Sequence, residues 1–479
     1  MSKLKKAKVA IIGGGIAGSS LALYLSELGL NISLFEKKET LVDGPPICHL
    51  HAGGNLYREI SDEQCLTLLR ESIELIQLYP CAVDFRPTVI AVPKEDKGKP
   101  EDLYRRLEKL KKEYISLIDR DITNRVLGSE NDYYKIFTRE EIELLKTKEP
   151  LDKPLSFEEW MIPVAKNIDL EKLQFPLIMV QEYGLNIFRL AASVTLALES
   201  IATAKVLTKT IVTNISREKQ AYLLEYKHNE ELKEEKFDYL INAAGFKSGE
   251  IDDMLGFKRE RFVEFKAAYV TKWKDDTLWP EVIFYGERGT PRGMAQFTPY
   301  PDGYFQLHGM TEDITLFKDG LVKSGTLSAQ PRLDEKYIEK IYKGWSKQEI
   351  SKRSSLAIDH LSQFIPKFSD ATVASKPLFG AQQIPGDDAS LRAANVSFEG
   401  DSYARCEIVK ASSVLGMADE ITLKLIKLGF VESVAYGKRG FNESKNFTEE
   451  DITHLARALC VSRAYPKSLA IRNNSSLIL

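Results

Sequence analysis

Three glycines near the N-terminus have the spacing of a nucleotide-binding turn. The pattern GxGxxG is formed by Gly13, Gly15 and Gly18. In this motif the first glycine permits a tight turn, the second lets the backbone approach a pyrophosphate, and the third lets a helix and a strand pack closely. Ile16 and Ala17 would then open a helix whose N-terminus faces the phosphates.

The segments on either side of the glycines strengthen this interpretation. Lys8 to Ile12 is predicted to be a buried strand, Gly15 to Leu28 a helix, and Asn31 to Glu36 a second strand. Glu36 ends the second strand about twenty residues after the turn, where an acid accepts ribose hydroxyls and disfavours a 2′-phosphate. Lys37 follows it directly. The opening of the chain is therefore predicted to bind a dinucleotide.

A second group of residues could carry out acid–base chemistry much later in the chain. Tyr304 to Gly309 is predicted to be a strand, and its alternation places Tyr304, Gln306 and His308 on one face. If that face lies against a redox cofactor, His308 is a candidate general base, because imidazole titrates near neutral pH. The alternative is a structural or surface histidine.

Two arginines are candidates for holding a substrate carboxylate. Arg292 precedes a predicted strand and Arg405 follows the Gly400-Asp401 turn. A guanidinium fork matches the geometry of a carboxylate, so either residue could orient an acidic substrate. Each could instead be an ordinary salt-bridge partner. We predict no metal site.

Bulk composition excludes several classes of protein. The chain has 479 residues, a formal net charge of −3 and 43% hydrophobic residues. We therefore expect a globular protein with at least two cores, or one domain with large insertions, and no affinity for nucleic acid. Five cysteines without a CxxC pair fit reduced thiols. We find neither a signal-peptide core nor a segment of membrane-spanning length. We expect a cytoplasmic protein that could contact the inner membrane peripherally.

Four further segments resemble, in the same order, those of the D-amino-acid-oxidase-like superfamily of FAD enzymes. His49–Gly54 resembles the loop that runs past the flavin, and Thr210–Ile215 resembles the strand that meets the adenine, with Val212 at the contact position. Asp238–Gly245 resembles the second strand with its glycine turn. Gly400 and Asp401 resemble the C-terminal flavin loop.

This resemblance implies that the dinucleotide is FAD. The residues assigned to FAD by the motif and by the resemblance are Gly13, Gly15, Ile16, Ala17, Gly18, Glu36, Lys37, His51, Ala52, Gly53, Gly54, Val212, Ala244, Gly245, Gly400 and Asp401. The run from His51 to Gly53 is also similar to a loop in dimethylglycine and sarcosine dehydrogenases, whose histidine carries the flavin covalently. Covalent attachment through His51 is therefore an open alternative.

Within the superfamily, two local matches favour a hydroxy-acid dehydrogenase. HAGGNLYREIS resembles a loop of L-2-hydroxyglutarate dehydrogenases, and the stretch from Tyr285 to Met310 is similar in layout to malate:quinone oxidoreductases. These matches imply a small carboxylate-bearing substrate, hydride transfer to the flavin, and a quinone or another electron acceptor. The alternatives are an amine or amino-acid oxidase or dehydrogenase, and a flavin-binding protein without catalysis.

The expected fold class is α/β, with a Rossmann-like FAD-binding domain and a discontinuous α+β substrate domain that contains an antiparallel sheet. The antiparallel strands are predicted at 262–273, 281–285, 294–298 and 304–309, and the last two are joined by a predicted turn at 301–303. The predicted segments are residues 1–93, 175–250 and 372–430 for the FAD-binding domain, 94–174 (a helical insertion) and 251–371 for the substrate domain, and 431–479 for a C-terminal helical extension.

Overall fold

The computed structural model describes residues 7–44, 58, 60–219, 221–275, 277–437 and 442–472. The predicted flavin loop with His51, Ala52, Gly53 and Gly54 lies outside the described residues. The helices are α1 (Ile16–Glu27), α2 (Asp62–Leu78), α3 (Tyr104–Arg120), α4 (Arg139–Leu145), α5 (Phe157–Asn167), α6 (Ile187–Ser200), α7 (Ser248–Met254), α8 (Glu335–Lys343), α9 (Lys347–Ser362), α10 (Val414–Lys427) and α11 (Glu449–Ser462).

The strands belong to two large sheets and two small ones. They are β1 (Lys8–Ile12), β2 (Asn31–Phe35), β3 (Val83–Asp84), β4 (Thr88–Pro93), β5 (Tyr134–Phe137), β6 (Leu173–Val180), β7 (Gly184–Leu185), β8 (Ala204–Leu207), β9 (Thr210–Glu218), β10 (Ala221–His228), β11 (Glu231–Phe237), β12 (Tyr239–Asn242), β13 (Arg261–Lys272), β14 (Glu281–Phe284), β15 (Ala295–Tyr300), β16 (Tyr304–Gly309), β17 (Leu321–Lys323), β18 (Thr372–Val373), β19 (Leu378–Pro385), β20 (Val396–Glu399) and β21 (Tyr403–Cys406).

The first sheet has the Rossmann-like arrangement expected from the opening βαβ unit. Its strand order is β20-β21-β12-β1-β2-β8. All neighbours pair in parallel except β20, which forms an antiparallel hairpin with β21. The carboxyl ends of β1, β2, β12 and β21 therefore lie at one edge of the sheet, where open α/β sheets bind their ligands.

A three-stranded antiparallel sheet, β9-β10-β11, is inserted between β8 and β12. The β-branched stretch from Lys205 to Ile215 is divided between β8 and β9. The break falls at Lys209, whose φ of +51° is incompatible with an extended strand. The chain therefore leaves the first sheet at this point and starts the small sheet that carries Val212.

The second large sheet contains the predicted antiparallel strands. Its order is β17-β13-β16-β15-β14-β4-β6-β5, and β18 and β19 also pair with β13. The β15–β16 hairpin turns through residues 301–303, as predicted, and pairs Tyr300 with Tyr304. β4 and β6 also pair in this sheet, although their residues fall mainly in segments assigned to the FAD-binding domain. Two of the predicted domain boundaries therefore differ from the extent of the sheet.

The two faces of the second sheet pack against different parts of the protein. On β16, Phe305 and Leu307 join a core with α5 and α9. Tyr304 instead packs against the core of the first sheet. Because side chains alternate along a strand, Gln306 and His308 lie on the same face as Tyr304, turned toward the nucleotide-binding domain. This is the face predicted to carry the chemistry.

Polar caps define where several helices start. Asn186 accepts hydrogen bonds from the backbone of Phe188 and Arg189 at the start of α6, and Thr138 forms a capping box with Glu141 at α4. Asn and Thr suit these positions because they satisfy N–H groups that an α-helix leaves without partners. Among the described residues, none of the helices combines the length and apolar character needed to cross a bilayer.

Candidate active site

Two of the three motif glycines are required by close backbone packing. Gly13 has a φ of +107°, and a Cβ there would lie 2.3 Å from the carbonyl oxygen of Ala243. A Cβ on Gly18 would lie 1.9 Å from the carbonyl oxygen of Gly13. Any side chain at either position would force the turn, α1 and β12 apart.

Gly15 differs, because a Cβ there would meet no heavy atom within 4 Å. It is the N-cap residue of α1, and Gly15, Ile16 and Ala17 are all partly exposed. The open space therefore lies at the N-terminus of a twelve-residue helix, whose first-turn N–H groups lack partners within the helix. Space and donors together fit the diphosphate of a dinucleotide.

Glu36 lies beside this turn at the carboxyl end of β2. Its Oε2 accepts the backbone N–H of Gly14 at 2.6 Å, and its Oε1 accepts that of Lys38 at 2.8 Å. These bonds fix the carboxylate next to the space above α1. Lys37 points elsewhere, with its Nζ donating to the hydroxyl of Tyr342 in α8 at 2.8 Å.

Two of the predicted nucleotide residues, Ala244 and Gly245, follow β12 at the same edge of the sheet and are partly exposed. Val212 lies on β9 and packs against a core that includes Ile12 and Phe35, the last residues of β1 and β2. The structure therefore places Ala244 and Gly245 beside the glycine turn, and Val212 against the same core as the ends of β1 and β2.

Gly400 and Asp401 require a correction. They form the turn between β20 and β21, with Gly400 at a φ of +61°. Because β21 runs parallel to β12, this turn lies before β21 at the amino edge of the sheet, opposite the glycine turn. Asp401 pairs with Lys424 there, at 2.9 Å. The two residues cannot line a site at the carboxyl edge.

The segment that follows β21 takes their expected place. Residues 407–413 leave the carboxyl edge and lead into α10, which begins at Val414. Glu407 forms a two-point ion pair with Arg259, at 2.7 and 2.6 Å. Ser413 donates its hydroxyl to the buried carboxyl of Glu71 in α2, at 2.7 Å. The start of a second helix is thus fixed beside α1.

On the second sheet, His308 belongs to a chain of buried polar groups. Nδ1 of His308 lies 3.3 Å from Oε1 of Gln296, and the amide nitrogen of Gln296 lies 2.6 Å from Oε1 of Glu281. A carboxylate accepts hydrogen bonds, so the Gln296 amide must donate to Glu281 and turn its oxygen toward His308. Nδ1 of His308 therefore carries a proton, and Nε2 is the basic nitrogen of the neutral ring.

The Glu281 end of this series of buried polar groups is also fixed in place. Arg86 contacts Oε2 of Glu281 at 3.0 Å and Oδ2 of Asp84 at 2.9 Å, and all three side chains are buried. Burial raises the pKa of Glu281, and the neighbouring Arg86 guanidinium opposes that shift. The carboxylate thus anchors Gln296 in a region away from bulk water.

A second cluster of charged residues lies on β13, on the face of the second sheet that also carries His308. Lys266 pairs with Glu264 at 2.7 Å, and Arg288 also contacts Glu264. Burial lowers the pKa of Lys266 to about 8, although the Glu264 carboxylate acts in the opposite direction. This part of the face therefore carries excess positive charge when Lys266 is protonated.

A cavity of about 530 Å³ opens at the end of β14 and β15. Arg58, Arg292, Tyr285 and His360 lie in its wall. The guanidinium of Arg58 stacks 4.1 Å from the centre of the Tyr285 ring and pairs with Asp96 at 2.6 Å. Its Nη2 is buried, and no hydrogen-bond partner for it is found in the structure as described.

The predicted catalytic residues are not all brought together. Tyr304 and His308 share a face of β16, and Arg292 lies at the cavity near the His308 end of the hairpin. Arg292 is 72% exposed and pairs with Glu95 at 3.1 Å. Arg405 lies in the first sheet with its Nε 2.6 Å from Asp252, which favours a structural role.

Sequence reasoning missed Arg58, Gln296, Glu281 and Lys266. Gln296 could have been found, because the predicted turn at 301–303 fixes the register that places it opposite His308. Glu281 and Lys266 are charged residues within apolar strands, which is a signal of partnered burial. No local sequence pattern indicates the stacking of Arg58.

Comparison with known families and structures gives a consistent result. Residues 8–139 match the model of a family described as FAD dependent oxidoreductase (DAO). No curated protein matches the chain significantly. Many solved structures resemble it.

Three of these solved structures illustrate the likeness. Glycine oxidase from Geobacillus kaustophilus has a TM-score of 0.54 and 12% identity, over 92% of this chain and 100% of that chain. L-amino acid deaminase from Proteus vulgaris has a TM-score of 0.55 and 13% identity, over 90% of this chain and 98% of that chain. L-alpha-glycerophosphate oxidase from Mycoplasma pneumoniae, solved with FAD bound, has a TM-score of 0.55 and 14% identity, over 88% of this chain and 95% of that chain. The expected fold class and superfamily resemblance are confirmed.

Proposed function

We propose that this chain, an enzyme that carries an FAD-dependent oxidoreductase domain of the D-amino-acid-oxidase type, oxidises a small substrate at a carbon next to a carboxylate. The predictions of an FAD cofactor and of an oxidoreductase are confirmed by the family match over residues 8–139, and the shared fold is consistent with them. The finer proposal is that the substrate is a 2-hydroxy acid.

The nucleotide-binding edge fits FAD. The open space at Gly15 receives the diphosphate against the start of α1, and Glu36 lies where it can accept ribose hydroxyls. When bound there, FAD supplies the acceptor for the hydride of the substrate, which carries two electrons. The other requirements of the reaction fall on the side chains of this chain.

The observation that carries the proposal is the orientation of His308. Its Nδ1–H donates to Gln296, so Nε2 is the atom that can accept the hydroxyl proton of the substrate. An alcohol must lose this proton as its hydride leaves. A neutral amine already has a lone pair and does not require such a base, so the arrangement favours a hydroxy acid over an amino acid.

Arg58 is the proposed partner of the substrate carboxylate. Asp96 holds its Nη1 and the Tyr285 ring supports its plane, and Arg58 lines a cavity large enough for a small organic acid. A buried donor without a partner costs free energy that an anionic ligand would recover. Arg292 remains a candidate for a supporting contact at the mouth of the cavity.

Anaerobic titration of the holoenzyme tests the substrate class. We expect 2-hydroxy acids to bleach the flavin absorbance and amino acids of the same carbon skeleton to leave it unchanged. Bleaching by amino acids or secondary amines alone would instead support the alternative of an amine or amino-acid oxidase. A flavin that no member of either panel reduces would oppose both and favour a protein without catalysis.

The electron acceptor is proposed to be a quinone or another acceptor. We expect the reduced enzyme to be reoxidised faster by a soluble quinone analogue than by air-saturated buffer. Rapid oxygen consumption with release of hydrogen peroxide would identify an oxidase instead. The cytoplasmic location and peripheral membrane contact remain predictions.

A further inference from the structure

The C-terminal segment from α11 to Arg472 contacts both halves of the protein. The hydroxyl of Ser468 donates to Asp302 at the β15–β16 turn, at 2.6 Å. The hydroxyl of Tyr465 donates to the carbonyl of Pro377, just before β19, at 2.8 Å. Arg463, between α11 and these residues, contacts the loop that follows β2 in the nucleotide-binding sheet. The segment therefore spans the substrate sheet and the nucleotide site.

Arg463 makes the most extensive of these contacts. Its Nη2 donates to the carbonyl of Leu41 at 2.8 Å and to Oγ1 of Thr40 at 3.0 Å, and its Nη1 donates to the carbonyl of Val42 at 3.1 Å. Its side chain is only 8% exposed. Hydrogen bonds from a charged donor are stronger than neutral ones, so this fork fixes the backbone of the loop.

The loop needs such support, because Val42 has a strained backbone. Its φ of +51° lies in the left-handed region, which β-branched residues rarely adopt. The N–H of Val42 donates to the carbonyl of Gly14 in the glycine turn, at 2.7 Å. Strained residues persist only where their surroundings hold them in place. Here the support comes from Gly14 on one side and Arg463 on the other.

We propose that Arg463 is a positioning residue of the FAD site. It acts through Val42, whose strained conformation places an N–H on Gly14 and so holds the glycine turn open for the diphosphate. The C-terminal segment is thus part of the cofactor site, although it lies more than 400 residues from the glycine motif. This inference concerns FAD retention and does not depend on the class of substrate.

A matched pair of variants of the full chain tests the proposal. R463Q removes the fork to residues 40–42. R472Q serves as the control, because Arg472 lies in the same segment but binds the carbonyls of Pro80 and Val83 and the carboxylate of Glu449. The readouts are the Kd for FAD, from flavin fluorescence, and the unfolding midpoint of each apoprotein.

We expect R463Q to raise the Kd for FAD by about 10- to 100-fold, the range for losing hydrogen bonds from a charged group. R472Q should change it by less than about twofold, with an equal or larger fall in the unfolding midpoint. Equal Kd values for R463Q and the wild type, or equal losses of FAD affinity in both variants, would overturn the proposal.

Two further variants cover the case in which R463Q does not fold. R463K keeps the charge but reaches fewer of the three acceptors, so its Kd should lie between the wild type and tenfold weaker. V42G relieves the strain at the left-handed position, so in the R463K background it should restore part of the FAD affinity. A V42G/R463K double variant that binds FAD more weakly than R463K would contradict the role assigned to Val42.

Discussion

Gln296 and His308 lie opposite each other on β15 and β16, with Oε1 of the amide 3.3 Å from Nδ1 of the imidazole. The amide cannot rotate without placing its oxygen against the carboxylate of Glu281. The carboxylate of Glu281 therefore fixes the proton position on His308 through the Gln296 amide. In a base oriented in this way, Nε2 is the nitrogen that can accept a proton.

Replacing the base should affect the chemical step and leave the cofactor in place. We expect H308Q to lower kcat by about 10²- to 10⁴-fold, the usual contribution of a general base, with an unchanged FAD content. Stopped-flow measurement of flavin reduction checks this. A variant that reduces its flavin at the wild-type rate would exclude His308 as the base.

Removing the amide should act through the imidazole. Q296L leaves Nδ1 of His308 without its acceptor, so we expect kcat to fall by about tenfold or more and the KM to change little. Q306L is the matched control, because Gln306 lies on the same face but accepts a hydrogen bond from Tyr300. If both variants lose kcat equally, packing rather than orientation explains the effect.

The register of this hairpin shows how far the sequence can predict the site. The turn at 301–303 places Gln296 opposite His308, and the alternation of β16 predicts the shared face. Glu281 could not be included, because its strand lies next to β15 only through a connection whose length does not fix the register. The sequence therefore indicated the base but not the residues that orient it.

Arg58 and Arg292 can be distinguished by their effects on substrate binding. R58K keeps the charge but loses the flat, two-pronged donor, so we expect the KM for the carboxylate substrate to rise by about 10- to 100-fold. R292Q removes a 72% exposed side chain and should raise it by less than about threefold. Steady-state kinetics of both variants with one substrate is the measurement. A larger effect of R292Q would transfer the carboxylate role to that residue.

This contrast also explains why one arginine was predicted and the other was not. Arg292 stands at the start of a predicted strand, which is visible in the sequence. The role proposed for Arg58 in binding the carboxylate depends on Tyr285 and Asp96, which lie 227 and 38 residues away. Contacts at such separations follow from the folded sheet and not from local spacing.

Substitution of a motif glycine by alanine should have different effects at Gly18 and at Gly15. G18A places a methyl group against the Gly13 carbonyl, so we expect loss of folded protein. G15A places the same group in open space, so the apoprotein should keep its unfolding midpoint while the Kd for FAD rises by about tenfold. Circular dichroism and flavin fluorescence measure the two effects. Normal FAD affinity in G15A would argue against a diphosphate at that position.

The turn at Gly400 and Asp401 marks a limit of motif matching. A glycine followed by an acid and a helix fits a flavin loop by order alone. Only the parallel pairing of β21 with β12 shows that the turn lies at the amino edge of the sheet. The order of segments was predictable, but the direction of the intervening strand was not.

The buried carboxyl of Glu71 should make stability depend on pH. Burial raises the pKa of Glu71 to about 7, Glu74 adds to the shift, and the Ser413 hydroxyl opposes it. The unfolded chain loses this proton near pH 4.5, whereas the folded chain retains it up to about pH 7. The stabilising contribution is therefore complete below pH 4.5 and is lost as the pH rises through about 7.

The variant E71Q removes this titration and keeps an acceptor for Ser413. Its free energy of unfolding should exceed that of the wild type by on the order of 1–3 kcal/mol at pH 8, and the difference should shrink toward pH 5. Denaturant unfolding of both proteins between pH 5 and 8 measures this. If the free energy of unfolding of the wild type varies with pH in parallel with that of E71Q, the Glu71 carboxyl is already ionised at neutral pH. Its charge would then lie beside Ser413, at the start of α10.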